Sequence, residues 1–253
     1  MPIQLDLRDI KFEAKGLLQT ARVQPLRFAL LFLAIDLSLS LLETAVTGLT
    51  GVGSIDTPLP FSVSFLSILI TLLNTVLLAG FANYCLCIHS GAEMPYESLF
   101  DAFPFAGKVI LLDVLEGVAI GLGFLLFIVP GVILAFSYEF ALYHLLEDPD
   151  ISVIDAMRRS RREMNGYKWQ LFRLLLSFWP LLILIAVVVS VCEYPLNNLF
   201  PETLAGNLFY TLITGVISAI PEAYLMPYIE LAQVSFFRRA TADQQGRNEM
   251  STF

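Results

Sequence analysis

Residues 61–82 read FSVSFLSILITLLNTVLLAGFA, and this stretch decides the fold. It contains no Lys, Arg, Asp or Glu, and about 20 such residues in a helix cross the hydrocarbon core of a bilayer. Leu174 to Val191 is a second run of the same kind. A soluble domain of this length could bury a large core, but its helices would alternate apolar and polar faces. Working outward from residue 61, no basic residue occurs between Arg27 and Lys108, between Lys108 and Arg158, or between Arg173 and Arg238. These gaps hold 80, 49 and 64 residues, so each has room for two spans and a turn that returns the chain to the side it left. Lys and Arg near span ends collect on the cytoplasmic face. The chain therefore reads as an all-α integral membrane protein with six transmembrane helices in three hairpins, short cytoplasmic interfacial helices, and both termini cytoplasmic.

Charged residues make up only 15% of the chain, against about 25% in an ordinary soluble domain. The net charge of −8 hides an asymmetry. The expected outer segments, near residues 51–60, 121–131 and 193–206, contain no Lys or Arg. Nucleic acid is not an expected partner, because no basic stripe is joined to a soluble fold. Cys85, Cys87 and Cys192 form no disulfide framework, and a lone Cys-x-Cys pair is weak as a metal site. No cleavable signal is expected, since the first apolar run starts only after Arg27 and is too long for a signal core.

The whole chain reads as one membrane domain. Residues 1–25 form an N-terminal interfacial helix, with Leu7, Ile10, Ala14, Leu17, Leu18 and Ala21 at helical spacing and their apolar side toward acyl chains. Residues 26–88 are hairpin one. Residues 95–147 are a short helix and hairpin two, with the Pro130–Gly131 pair at the turn and Pro130 at the first helical position. Residues 151–237 are a basic helix and hairpin three. Ser152 and Asp155 have capping-box spacing, and Val153, Ile154, Met157 and Met164 share a face of the basic helix. The sixth span is interrupted by Pro221 and Pro227, and the polar tail 241–253 reads as disordered.

From Ile128 to Phe172 the chain reads IVPGVILAFSYEFALYHLLEDPDISVIDAMRRSRREMNGYKWQLF. It resembles an uncharacterised bacterial family of multi-pass membrane proteins, the family of unknown function numbered nine hundred and seventy-five. The resemblance rests on Pro130, Gly131, Tyr138, Ala156, Ser160, Met164, Gly166 and Lys168. The segment RDIKFEAKGLL near the N-terminus and the Pro227–Tyr228 pair extend it. It implies a six-span protein of the bacterial cytoplasmic membrane and brings no activity or catalytic residue with it.

Ionisable residues inside a bilayer cost about 2.5–3.5 kcal/mol on insertion scales and face protein or water. Asp36, Asp113, Glu116, Glu139, Glu222 and Glu230 fall within expected spans and are the candidate cation or proton site, with no basic residue at similar depth. The competing reading makes them hydrogen-bonding glue to Asn74, Asn83, Ser or Tyr. Arg158, Arg159, Arg161 and Arg162 are the candidate contact with anionic lipid. His144 near Glu147 and Asp148 reads as a polar anchor rather than a metal ligand. No phosphate loop, nucleophile elbow or zinc-protease motif occurs, so no catalytic residue, cofactor or metal is expected. The leading expectation is a non-enzymatic membrane protein that engages lipid or a membrane partner, or a second copy of itself, through cytoplasmic amphipathic helices. The alternative is a small transporter or channel subunit for a cation or amphiphile that uses the buried carboxylates.

Overall fold

The computed structural model describes residues 4–21, 24–50, 60–92, 94–197, 199–200 and 203–251, and among these it contains no strand. Ten α-helices follow in order: α1 Leu7–Thr20, α2 Pro25–Leu49, α3 Phe61–His89, α4 Ala106–Leu126, α5 Ile128–Tyr138, α6 Ala141–Glu147, α7 Val153–Glu163, α8 Lys168–Leu176, α9 Trp179–Asn197 and α10 Leu204–Ser251. Two 3-10 turns, Tyr96–Phe100 and Phe103–Phe105, precede α4. The chain forms two compact units. Unit one comprises Met1–Pro25, Thr75–Phe178 and Pro227–Phe253, and unit two comprises Leu26–Asn74 and Trp179–Met226.

Unit one is held by an aromatic core. Phe140 stacks on Tyr143 at 5.5 Å, and both rings lie 5.3 Å from Phe237. Leu231, Ala232, Val234 and Phe236 of α10 are fully buried beside them. Around that core, α1 is tied down along its length. Asp6 caps it by accepting from the Arg8 N–H at 2.8 Å. The Leu5 N–H donates to Gln170 Oε1 at 2.9 Å, and Lys11 Nζ donates to the Ser177 carbonyl at 3.2 Å. Glu13 meets His89 at 3.1 Å and Arg239 at 2.7 Å. Ile10 and Ala14 are thus buried against protein. This corrects the expectation that they face acyl chains; Phe12 is the exposed apolar residue of α1.

The α7 start is the one its sequence encodes. The Asp155 N–H donates to Ser152 Oγ at 3.1 Å, and the Ser152 hydroxyl donates to the Asp155 carboxylate at 2.7 Å. Val153, Ala156, Ser160 and Met164 are its buried face, while Ile154 is exposed. Gly166 follows with φ of +92°, a left-handed turn that favours glycine.

Several boundaries differ from expectation. The α4–α5 turn is at Phe127, not at Pro130–Gly131. Pro130 is the third residue of α5, where its missing N–H costs nothing because helix-start donors have no partner in the helix. Gly131 donates back to the Phe127 carbonyl at 3.3 Å. It is needed for close approach, because a Cβ there would lie 2.5 Å from the Phe124 ring, and one on Gly123 would lie 2.9 Å from Gly131 Cα. The stretch 128–147 is broken at Glu139–Phe140 into α5 and α6, and 168–196 is broken at Ser177–Phe178 into α8 and α9.

The short helix expected after Pro95 is two 3-10 turns. Within them Leu99 is buried, while Tyr96, Phe100 and Phe103 are exposed. By contrast, α10 continues through both Pro221 and Pro227. Each proline removes one backbone bond, a loss that helices in apolar surroundings absorb through their neighbours. The tail expected to be disordered is helical to Ser251. Thr241 donates to Glu163 at 3.0 Å and Gln244 to the Glu163 carbonyl at 3.1 Å, while Tyr167 donates to Asp243. Of the expected outer segments, residues 51–59, 198 and 201–202 lie outside the described residues.

Candidate functional site

The six acids singled out in the sequence fall into two groups. Asp113, Glu116, Glu139 and Glu230 belong to unit one, and Asp36 and Glu222 to unit two.

In unit one the carboxylates are placed beside one another and against protein donors. Gln233 Nε2 donates to Glu139 at 2.9 Å, and the Tyr143 hydroxyl donates to Glu230 at 2.9 Å. Glu139 lies near enough to both Glu116 and Glu230 for their charges to interact. Glu116 carries one buried oxygen without a partner, and Asp113 is exposed on α4. Among the described residues no group of three or more His, Cys, Asp or Glu is arranged to hold a metal ion. Glu139 and Glu230 thus accept hydrogen bonds that join the α5–α6 region to α10.

Unit two is built differently. Its sequence holds one basic residue, Arg27, against six acids. Two clefts open between its helices. The first, of about 240 Å³, is lined by Asp36 and Ser40 of α2, Glu193 of α9, and Thr211, Ser218 and Glu222 of α10, among others. The second, of about 470 Å³, shares Ser40 and Thr211 with the first and adds Glu43, Thr44, Thr47 and Tyr210. Asn74 Nδ2 donates to Asp36 at 2.9 Å and Ser67 donates to Glu43, so each carboxylate is held by one amide or hydroxyl. Thr44 and Thr211 hydroxyls meet at 3.3 Å. Carboxylate and hydroxyl oxygens thus converge from three helices, and no Lys or Arg lines either cleft.

Most of this lining was not singled out from the sequence, although a signal for it exists. Asp36, Ser40 and Thr44 are spaced by four, and Thr211, Thr214, Ser218 and Glu222 by three and four, so each set forms a polar stripe on one helix face. Glu193, expected in an outer segment, lies on α9 and reaches the first cleft.

The basic helix is partly neutralised by its own acids. Arg158 pairs with Asp155 at 3.1 Å and Arg159 with Glu163 at 3.2 Å. Arg161 and Arg162 are exposed and make no ion pair among the described residues. His144, fully buried, lies 2.9 Å from Glu163, while Glu147 pairs with Arg238. Burial alone would raise the Glu163 carboxyl; the His144 ring, Arg159 and Thr241 outweigh it and hold it below the usual range.

Among the described residues the fold is all-α, with six helical stretches long and apolar enough to cross a membrane. Residues 130–244 match the family described as Protein of unknown function (DUF975). No curated protein and no solved structure matches the chain. The family stretch contains Ala156, Ser160 and Met164, which form the buried face of α7.

Proposed function

We propose that the protein is a non-catalytic, six-span membrane protein whose unit-two cleft takes the positively charged head of an amphiphile. The observation that carries this reading is the convergence of Asp36, Glu193 and Glu222 with the hydroxyls of Ser40 and Thr211 on one cleft without a basic residue. Asp36 and Glu193 are half-buried and Glu222 is exposed, and carboxylates gathered without a countercharge favour a cation by Coulomb attraction, strengthened wherever water is scarce. The adjoining clefts have the scale of small-molecule sites, and the apolar helices around them suit a hydrocarbon tail. A bare metal ion is a poorer fit, because these oxygens do not gather into a coordination cage. In this reading both termini and α7 lie on the cytoplasmic side of a bacterial membrane, in keeping with the Lys and Arg distribution.

The test is uptake of a fluorescent long-chain amine by liposomes holding the purified protein. Uptake above that of empty liposomes, lost in the Asp36→Asn/Glu222→Gln variant, is the expected result. No protein-dependent uptake under any imposed gradient removes transport and leaves binding alone.

A second reading is favoured by Arg161 and Arg162, which face outward without partners. Each basic residue near an anionic leaflet contributes about 1 kcal/mol, so α7 would hold the cytoplasmic face against anionic lipid. The apolar face of α7 is used inside the protein, which limits this contact to charge. Replacing Arg158, Arg159, Arg161 and Arg162 with Gln should lower the anionic lipid co-purifying at low salt and have little effect at high salt. Equal lipid content at low salt would refute it.

A further inference from the structure

We propose that a separate cleft of unit one, between the N-terminal end of α1 and the start of α8, binds the phosphate of an anionic lipid headgroup. The cleft measures about 650 Å³ and is lined by Arg8, Asp6, Trp169, Gln170 and Arg173, among others. Arg8 and Arg173 are 165 positions apart in sequence, yet they share one cavity. Neither makes an ion pair among the described residues, whereas Arg158, Arg159, Arg238, Arg239 and Arg247 each pair with an acid; Arg161 and Arg162 on α7 are unpaired as well but do not line this cleft. Two guanidinium groups around one space with a single carboxylate, Asp6, in the lining leave an excess of positive charge, and an anion between them offsets their repulsion. Guanidinium forks suit phosphate oxygens in particular.

A hydrogen bond joins the two sides of the cleft. Gln170, in its wall, accepts from the Leu5 N–H and so fixes the chain entering α1 against α8. The one carboxylate in the lining, Asp6, accepts from the Arg8 N–H as the cap of α1 and makes no ion pair with either arginine, so one negative charge stands against two positive ones. Trp169 is 67% exposed and stacks on Phe172 at 5.1 Å. An exposed indole at the start of an apolar stretch sits at headgroup level. The cavity is thereby placed where lipid phosphates are.

The two tryptophans make this testable in the full-length protein, because Trp179→Phe leaves Trp169 as the sole reporter. Protein in a zwitterionic detergent is titrated with short-chain phosphatidylglycerol, short-chain phosphatidylcholine and inorganic phosphate. Saturable change in Trp169 emission with phosphatidylglycerol alone is the expected result and identifies a lipid headgroup. An equal saturable response to inorganic phosphate would keep the phosphate site but assign it to a soluble solute. Arg8→Gln/Arg173→Gln should raise the half-saturation by about tenfold or more, the scale of a lost charged hydrogen bond.

Gln170→Glu gives a second variant that keeps the acceptor for Leu5 while adding negative charge, and it should weaken binding with the fold intact. Arg161→Gln/Arg162→Gln should leave the titration unchanged. The proposal is overturned if neither phosphatidylglycerol nor inorganic phosphate gives a saturable response, or if phosphatidylcholine binds as well as phosphatidylglycerol. It is equally overturned if the response survives both cleft variants, or if the α7 variant weakens it as much as they do. None of these outcomes bears on the unit-two cleft, whose residues are untouched.

Discussion

The Ser160 hydroxyl of α7 donates to the Ser137 carbonyl at 2.9 Å, inside the fully packed part of unit one. The same oxygen accepts from the Phe140 N–H at 3.2 Å. The chain breaks between α5 and α6 at this point, and a helix break frees backbone groups that an apolar span cannot leave bare. One side chain from another helix supplies both a donor and an acceptor. Ala156 and Met164, one turn to either side, pack the surrounding surface. The Ala-x-x-x-Ser-x-x-x-Met pattern is therefore a structural plug for the broken helix, and the break in turn places Glu139 against Gln233.

Ser160→Ala should destabilise the protein by about 1–3 kcal/mol, because a buried N–H and carbonyl lose their partner together. Ser160→Val should be worse, since it adds bulk at a fully buried position. Thermal unfolding in detergent, followed by helical circular dichroism, checks both. Wild-type stability in Ser160→Ala would show that the break is satisfied in another way.

A pH dependence follows from Glu163. Its folded value is depressed, so its contribution is complete above the unfolded value of about 4.3 and is lost as pH falls through the folded one. Glu163→Gln should cost about 1–3 kcal/mol at neutral pH. The gap between the two proteins should then close as the pH falls below about 4. Parallel stability curves from neutral pH to strong acid would contradict the assignment.

The apolar stretches and the Ser152–Asp155 cap were legible because each is written in adjacent residues. The break at Glu139–Phe140 was not, since no Gly or Pro marks it and its stabiliser is Ser160, twenty residues away. The Pro130–Gly131 pair misled in the opposite direction, because proline fits a helix start as well as a turn. Residues 241–251 looked disordered from polar composition, yet Thr241, Gln244 and Arg247 find partners on Glu163 and Tyr167. The cleft was only half legible: Asp36 and Glu222 stood out as charges, whereas the hydroxyl stripes between them look like ordinary span residues until three helices bring them together.

Close approach of α4 and α5 gives a packing prediction. Gly131→Ala should cost about 1–3 kcal/mol by driving a methyl into the Phe124 ring. Gly117→Ala, where a Cβ meets nothing within 4 Å, should be neutral or slightly stabilising. Equal melting temperatures for the two variants would refute the close-contact account.

Topology is open to a labelling test in a background with Cys85, Cys87 and Cys192 replaced. A membrane-impermeant thiol reagent should reach cysteine at position 56 or 202 from outside intact cells and should fail to reach position 98 or 161. Labelling at 161 from outside would invert the orientation of α7.

The most direct test of the cation cleft is equilibrium binding of dodecyltrimethylammonium against its neutral isostere, in which carbon replaces the quaternary nitrogen. Shape and apolar area are matched, so any difference reports the charge of the head. Calorimetry on the purified protein should show one saturable site for the cation. The neutral compound should not compete, and Asp36→Asn/Glu222→Gln should weaken the cation by about tenfold or more. Equal affinity for both compounds, or cation binding indifferent to the double substitution, would contradict the account.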